Sequence, residues 1–440
     1  MLDPVIETPK PGHQAFEEDD ETAAWSRAAQ VVGLGLQLAG RVDLLDDDVA
    51  RDLNVPKVQA LTTPLPSNYV GIHVSQIQGE LETILWPEIP GWSQPIESYV
   101  RRNATPPQRW WREFDGLERH LAPRLYHVIS HGESDPGWAA TLLYVCQFSH
   151  HQIVRVTAAA SLASLRTALS WPTVEALAEG SSSTNDTVQQ IAVDALVNVA
   201  PGHPTLTELR GAATADTQGP EEETSSGPAH TSVIVPGTWT RFVRPSWWRP
   251  GEPLFKYLQE EPGGKEPSDG TFDPIGNDLY SRDSYFRWPA RFSGEDRIHG
   301  ARELAKWAAS HGCATGFSKL FAHSHGGNVA LRAAARHKLY IGLLVLIATP
   351  PHERTKMEWE VIAQNVRSIV SLRARFDLVV LLDHVWSRTG RISATGDFPS
   401  YRVLDLKLPV WFGHSVLTRP EVWTQNGLAH EVAYEYKMSQ

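Results

Sequence analysis

Residues 319–337 read KLFAHSHGGNVALRAAARH, and this stretch decides the fold of the second half of the chain. The run that begins Lys319-Leu320-Phe321 is apolar enough to fill a buried strand, and the residues from Asn328 to His337 carry apolar side chains at helical spacing. Only Ala322-His323-Ser324-His325-Gly326-Gly327 joins the two. A strand that passes into a helix through so short a joint needs a tight, strained turn, and small residues around it let strand and helix approach. Such a turn lifts the serine hydroxyl above the sheet. Ser324 is therefore the candidate nucleophile, weighed against a plain glycine-rich helix start after a buried strand. Ala322 stands where the pattern Gly-x-Ser-x-Gly has its first glycine, and Gly326 keeps the second.

Outward from that joint, short β-rich runs alternate with amphipathic helices. SVIVPG (232–237), SYFRW (284–288), IGLLVLIAT (341–349) and SIVSLRARFD (368–377) read as further strands. EDRIHGARELAKWAASHG (295–312) places Ile298, Ala301, Leu304, Ala305 and Ala308 on one helix face. Alternation of this kind predicts an α/β domain over 231–440, with a mainly parallel sheet covered on both faces.

Upstream the texture changes. GAATADTQGPEEETSSGPAH is small and polar, so 211–230 is expected to be a linker. Before it, 23–210 is expected to be α-helical. Val154, Ala158, Leu162 and Leu165 superpose on Val188, Ala192, Leu196 and Val199, a helix face that needs a neighbouring repeat to cover it. Repeats near 140–210 resemble those of HEAT or armadillo type. Residues 1–22, rich in Pro, Glu and Asp, are expected to form a disordered acidic tail. Gly33-Leu34-Gly35 lacks the third glycine and the preceding strand of a dinucleotide site, so no cofactor is expected.

Composition narrows the function classes. With 41% apolar and 21% charged residues the 440-residue chain is globular. Acidic residues outnumber basic ones, 51 to 40, for a net charge of −11, so no positive field draws nucleic acid or anionic lipid. The two cysteines, Cys146 and Cys313, are too few for a disulfide framework and suggest a reducing, cytoplasmic location. The N-terminus lacks the basic start and apolar core of a signal peptide. Leu339 to Pro350, the most apolar run, falls short of the roughly 20 residues that cross a bilayer, so no transmembrane segment is expected.

VIVPGTW, the Trp247-Trp248 pair, YFRWPARFSGEDR, AHSHGGNVAL and GHSVLTRPEVW resemble, in order, the landmarks of α/β-hydrolase fold lipases and esterases of compact bacterial type. The likeness covers roughly residues 230–440, is most specific around Ser324, and implies Ser-His-acid hydrolysis of a carboxylic ester or related acyl compound. Alanine in place of the first glycine also occurs in minimal bacterial lipases.

The chemistry asks for the same partners independently. A serine hydroxyl is a poor nucleophile near neutral pH, so a histidine must take its proton and a carboxylate must fix that histidine's tautomer. In this fold the chain order is serine, acid, histidine. His414, in the last loop before the helical PEVWTQNGLAHEVAYEY, is the candidate base, since His384 and His430 fit helices better. Asp377 ends the alternating strand SIVSLRARFD and is the leading acid. Asp383, in a helical run, and Asp397, in the turn ATGDFPS, remain its competitors.

Two N–H donors must hold the oxyanion. The amide of His325 follows the nucleophile, and Thr238 would offer the other from the loop after the VIV run, where the family usually has His-Gly and this chain has Pro236-Gly237. Trp239, Trp247 and Trp248, in a long segment after that strand, are candidate substrate-binding residues of an apolar acyl pocket. The histidines flanking Ser324 lack the ligand pattern of a metal site, and none is expected.

These residues predict a serine hydrolase acting on a small-molecule or lipid ester, with a protein partner for the helical half. A different class competes with it: an interaction or scaffold protein whose helical half binds a partner and whose hydrolase-like half is inactive.

Overall fold

The computed structural model describes residues 15–16, 20–65, 69–77, 117–132, 135–165, 170–215, 232–238, 247–260, 273–282, 285–288, 294–387 and 394–440. The chain divides into two compact units, Glu7–Glu208 with Leu381–Arg388, and Leu209–Val380 with Thr389–Gln440.

The second unit is built on one five-stranded parallel sheet. Its strands are β1 (Ser232–Val235), β2 (Phe317–His323), β3 (Ile341–Ile347), β4 (Val366–Phe376) and β5 (Val403–Trp411), and their spatial order is their chain order. The class is α/β. The middle strand β3 is apolar on both faces because a parallel sheet is covered on both. Leu344 and Leu346 of β3 pack with Ala301, Leu304, Val329, Trp359 and Ile362 from helices Gly294–Ser310, His325–His337 and Lys356–Asn365. Leu343, Val345 and Ile347 pack the other way, with Leu254, Phe255, Trp423 and Val432 from helices Pro253–Glu260, Pro420–Gln425 and Leu428–Ser439. At ~1.5–3 kcal/mol for each large apolar side chain removed from water, this double burial is what holds the sheet.

Register decides what meets at the C-terminal edge. Val235 of β1 pairs with Ala322, Ala322 with Leu346, and Leu346 with Ser371, so the loops after β1 and β2 start level with one another. At the far side Phe376 of β4 pairs with Trp411 of β5, and the Phe412 amide continues the ladder by donating to the Phe376 carbonyl at 2.8 Å.

Four points depart from the sequence reading, three expectations that need correction and one strand it did not name. SYFRW is not a strand: among the described residues 285–288 have no regular structure, and the free edge of β1 bonds to Asp278 and Tyr280 instead. Its alternating aromatics still bury. Phe286 and Trp288 enter the core, and the Trp288 indole N–H donates to the Pro236 carbonyl at 2.8 Å. Second, β5 is a strand with its own period-two signal, Leu404, Leu406, Leu408 and Val410 alternating with Asp405, Lys407 and Pro409, as suits a half-solvated edge. Asp405 there binds Arg373 of β4 through both oxygens, each at 2.8 Å. Third, the helix Pro204–Ala215 continues into the stretch read as linker, whose remainder lies outside the described residues. Fourth, the expected acidic tail is ordered at its end: Phe16 is buried against the ring of Tyr126, and Asp20 caps the helix Glu21–Leu38 by accepting from the Ala23 amide at 2.7 Å. Acidic residues favour a helix N-terminus for electrostatic reasons that composition alone does not express.

The first unit is helical in its described residues. Gln152–Ser164, Trp171–Gly180 and Asp186–Val199 pack pairwise, and the superposable helices Gln152–Ser164 and Asp186–Val199 contact each other directly. Helix Glu21–Leu38 packs on Gln152–Ser164 and is buried nearly all round. No described helix is long and apolar enough to cross a membrane.

Candidate active site

Ser324 stands between β2 and the helix His325–His337 with φ 52° and ψ −135°. For a residue with a Cβ this is a strained backbone, costing ~1–3 kcal/mol, and it persists only where neighbours over-determine it. Here they do. The Ser324 amide donates to the Ile347 carbonyl at 2.8 Å, and the Ser324 carbonyl accepts from the Gly327 amide at 3.0 Å.

Glycine is needed close by for space. A Cβ on Gly326 would lie 2.5 Å from the Val235 carbonyl oxygen and 2.6 Å from that of Pro236. One on Gly237 would lie 2.7 Å from the Ser324 Cβ, which shows how closely the loop after β1 lies against the serine. Gly326→Ala meets two main-chain atoms that no side-chain rotation can move. It is expected to destabilise the protein by ~1–3 kcal/mol, read as a lowered Tm in a thermal melt. An unchanged Tm would show that the β1 loop yields freely.

Asp377 follows β4 directly and caps the helix Leu378–Ser387. Its Oδ1 accepts from the amides of Val379 and Val380 at 3.0 and 3.1 Å, which leaves Oδ2 for His414 Nδ1, at 2.8 Å. Both side chains are buried. An ionised carboxylate only accepts, so Nδ1 carries the hydrogen and Nε2 the lone pair. His414 Nε2 is buried and makes no hydrogen bond among the described residues. A buried nitrogen without a partner costs stability.

The loop that carries His414 is sharply turned. Phe412 has φ 65°, and the Gly413 amide donates to the Trp411 carbonyl at 2.8 Å. Because β5 is laddered to β4 up to Phe412, residues 377 and 414 emerge side by side despite their separation in the chain.

His323, at the end of β2, was not singled out by sequence, and only its strand parity with the core residue Phe321 hints that it turns inward. Its Nε2 lies 3.3 Å from the His414 carbonyl oxygen, its ring is centred 4.7 Å from that of His414, and Trp247 meets it edge-on at 5.4 Å. Burial pushes the His323 imidazole well below its ordinary pKa, and the neighbouring His414 adds to the effect. It is held neutral.

Thr238 is buried in the loop against the serine, and His325 opens the helix, where backbone N–H groups point out along the axis. The His325 ring meets that of His352 edge-on, centroids 5.3 Å apart. Trp247 and Trp248 are both buried in the core with Ile234 and Phe255, so they back the site from within the fold. Trp239 lies outside the described residues. Asp383 is helical, on Leu378–Ser387, and Asp397 is exposed in a turn before β5. His384 and His430 fall within helices. Comparison with protein-family models, with curated proteins and with solved structures finds no match to this chain.

Proposed function

We propose that the chain is a serine hydrolase of α/β-hydrolase type acting on carboxylic or lipid esters. The observation that carries this reading is the buried His414–Asp377 pair at 2.8 Å, reached through His323 from the strained serine next to it in the chain. In the proposed reaction His414 Nε2 takes the Ser324 proton as Oγ bonds to the acyl carbon, while Asp377 holds the Nδ1–H and stabilises the imidazolium. The amides of His325 and Thr238 hold the negative oxygen of the tetrahedral intermediate. Collapse expels the alcohol with the proton from His414 and leaves an ester on Ser324. Water, deprotonated by the same nitrogen, then releases the acid.

The helical unit supports a HEAT-like reading through its superposable, directly packed helices, and a protein partner is proposed for it on that ground. A cytoplasmic location rests on the cysteine count alone.

The test is labelling with a fluorophosphonate, which reacts only with an activated serine. Stoichiometric modification of Ser324, located by peptide mass, is expected. A folded protein that never labels there would remove the enzymatic reading.

A further inference from the structure

The proposed triad leaves one buried imidazole in contact with it unused. His323 Nε2 lies 3.3 Å from the His414 carbonyl oxygen, and a carbonyl can only accept, so Nε2 carries the ring's hydrogen. Nδ1 is then bare. It makes no hydrogen bond among the described residues and faces Gly237, 3.2 Å from where a Cβ on that glycine would sit.

We infer that His323 is a positioning residue for the base: by donating Nε2–H to the main-chain carbonyl of His414, it ties the loop bearing the base to the strand end bearing the nucleophile. The inference rests on the hydrolase reading above. Asp377 grips His414 by its side chain, which sets the direction of the ring. The bond from His323 holds the main chain of the same residue, a second and separate contact. Since the donor is the residue before Ser324, base and nucleophile keep their separation unless β2 itself distorts.

The neutrality of the ring suits the task. His414 becomes cationic when it takes the serine proton, and a second cation with its ring centred 4.7 Å away would oppose that step. An uncharged imidazole donates its hydrogen bond without opposing the charge.

Two substitutions separate positioning from packing. His323→Phe keeps a ring against Trp247 but removes the donor. It is expected to lower kcat for an activated ester about 10- to 100-fold, as for a slightly misplaced catalytic group, with KM little changed. His323→Gln puts an amide N–H near the Nε2 position and should recover most of the loss, with fluorophosphonate labelling rates following kcat. Equal losses in both variants, tracking a fall in Tm, would mean that the ring only fills space and would overturn the inference.

A readout independent of turnover distinguishes this failure from that of the hydrolase reading. In the 15N-histidine NMR spectrum of the whole protein at pH 7, His323 is expected as the Nε2–H tautomer, and His323→Phe should shift the His414 resonances. A Nδ1–H tautomer, or His414 signals indifferent to the substitution, would overturn the tie even in an active enzyme. Failure of Ser324 to label, with both spectral results as expected, would sink the hydrolase reading and leave the tie as a structural contact.

Discussion

Ser324→Ala is expected to cut turnover of an activated ester about 10⁶-fold, the scale on which removing the nucleophile from a serine-histidine-acid site acts. Fluorophosphonate labelling should vanish with it. The fold should not suffer, because alanine keeps the Cβ that already sits against Gly237 and the turn is held by main-chain bonds to Ile347 and Gly327. An unchanged Tm would tie the loss to chemistry. Activity retained within tenfold would mean that some other group attacks the substrate.

The second large effect concerns the acid. Asp377→Asn should lower turnover about 10⁴-fold while leaving the protein folded. Asparagine keeps an oxygen to accept from the amides of Val379 and Val380, so the cap on helix Leu378–Ser387 survives. Its NH₂ then faces His414 Nδ1 where an acceptor stood, and the imidazole answers by moving its hydrogen to Nε2. The wrong tautomer cannot take a proton from serine. Asp383→Asn, in the helix, and Asp397→Asn, in an exposed turn, should be mild by comparison. Steady-state kinetics on the three variants decide the matter: loss at Asp397 with none at Asp377 would move the acid to the turn before β5.

Much of this site could be read locally. The joint at Ser324 is legible because a strand, a turn and a helix are consecutive, and each has its own period or its own small residues. Asp377 could be placed at a strand end because Val370, Leu372, Ala374 and Phe376 alternate with polar residues. The same local logic misjudged SYFRW: alternating aromatics report that side chains bury, not that the backbone pairs, and at β1 the pairing went to Asp278 and Tyr280. It also passed over β5, whose charged residues mark an edge strand with one side toward water.

What the sequence by itself determined is therefore most of the elements, SYFRW and β5 apart, and the residue types at their ends: an α/β half, a helical half, a serine in a strained joint, and a short list of histidines and aspartates. Strand periodicity and helix faces depend on neighbours a few residues apart, and that information is in the order of the residues. The tertiary structure alone decided which of the listed groups meet. Asp377 reaches His414 because β4 and β5 are adjacent and, after a register shift between Ala374 and Phe376, still pair at Phe376 and Trp411, and His323 reaches the His414 carbonyl because the end of β2 and the loop after β5 share one edge of the sheet. Distances across a sheet follow from strand order and register, which are set by the packing of the whole core.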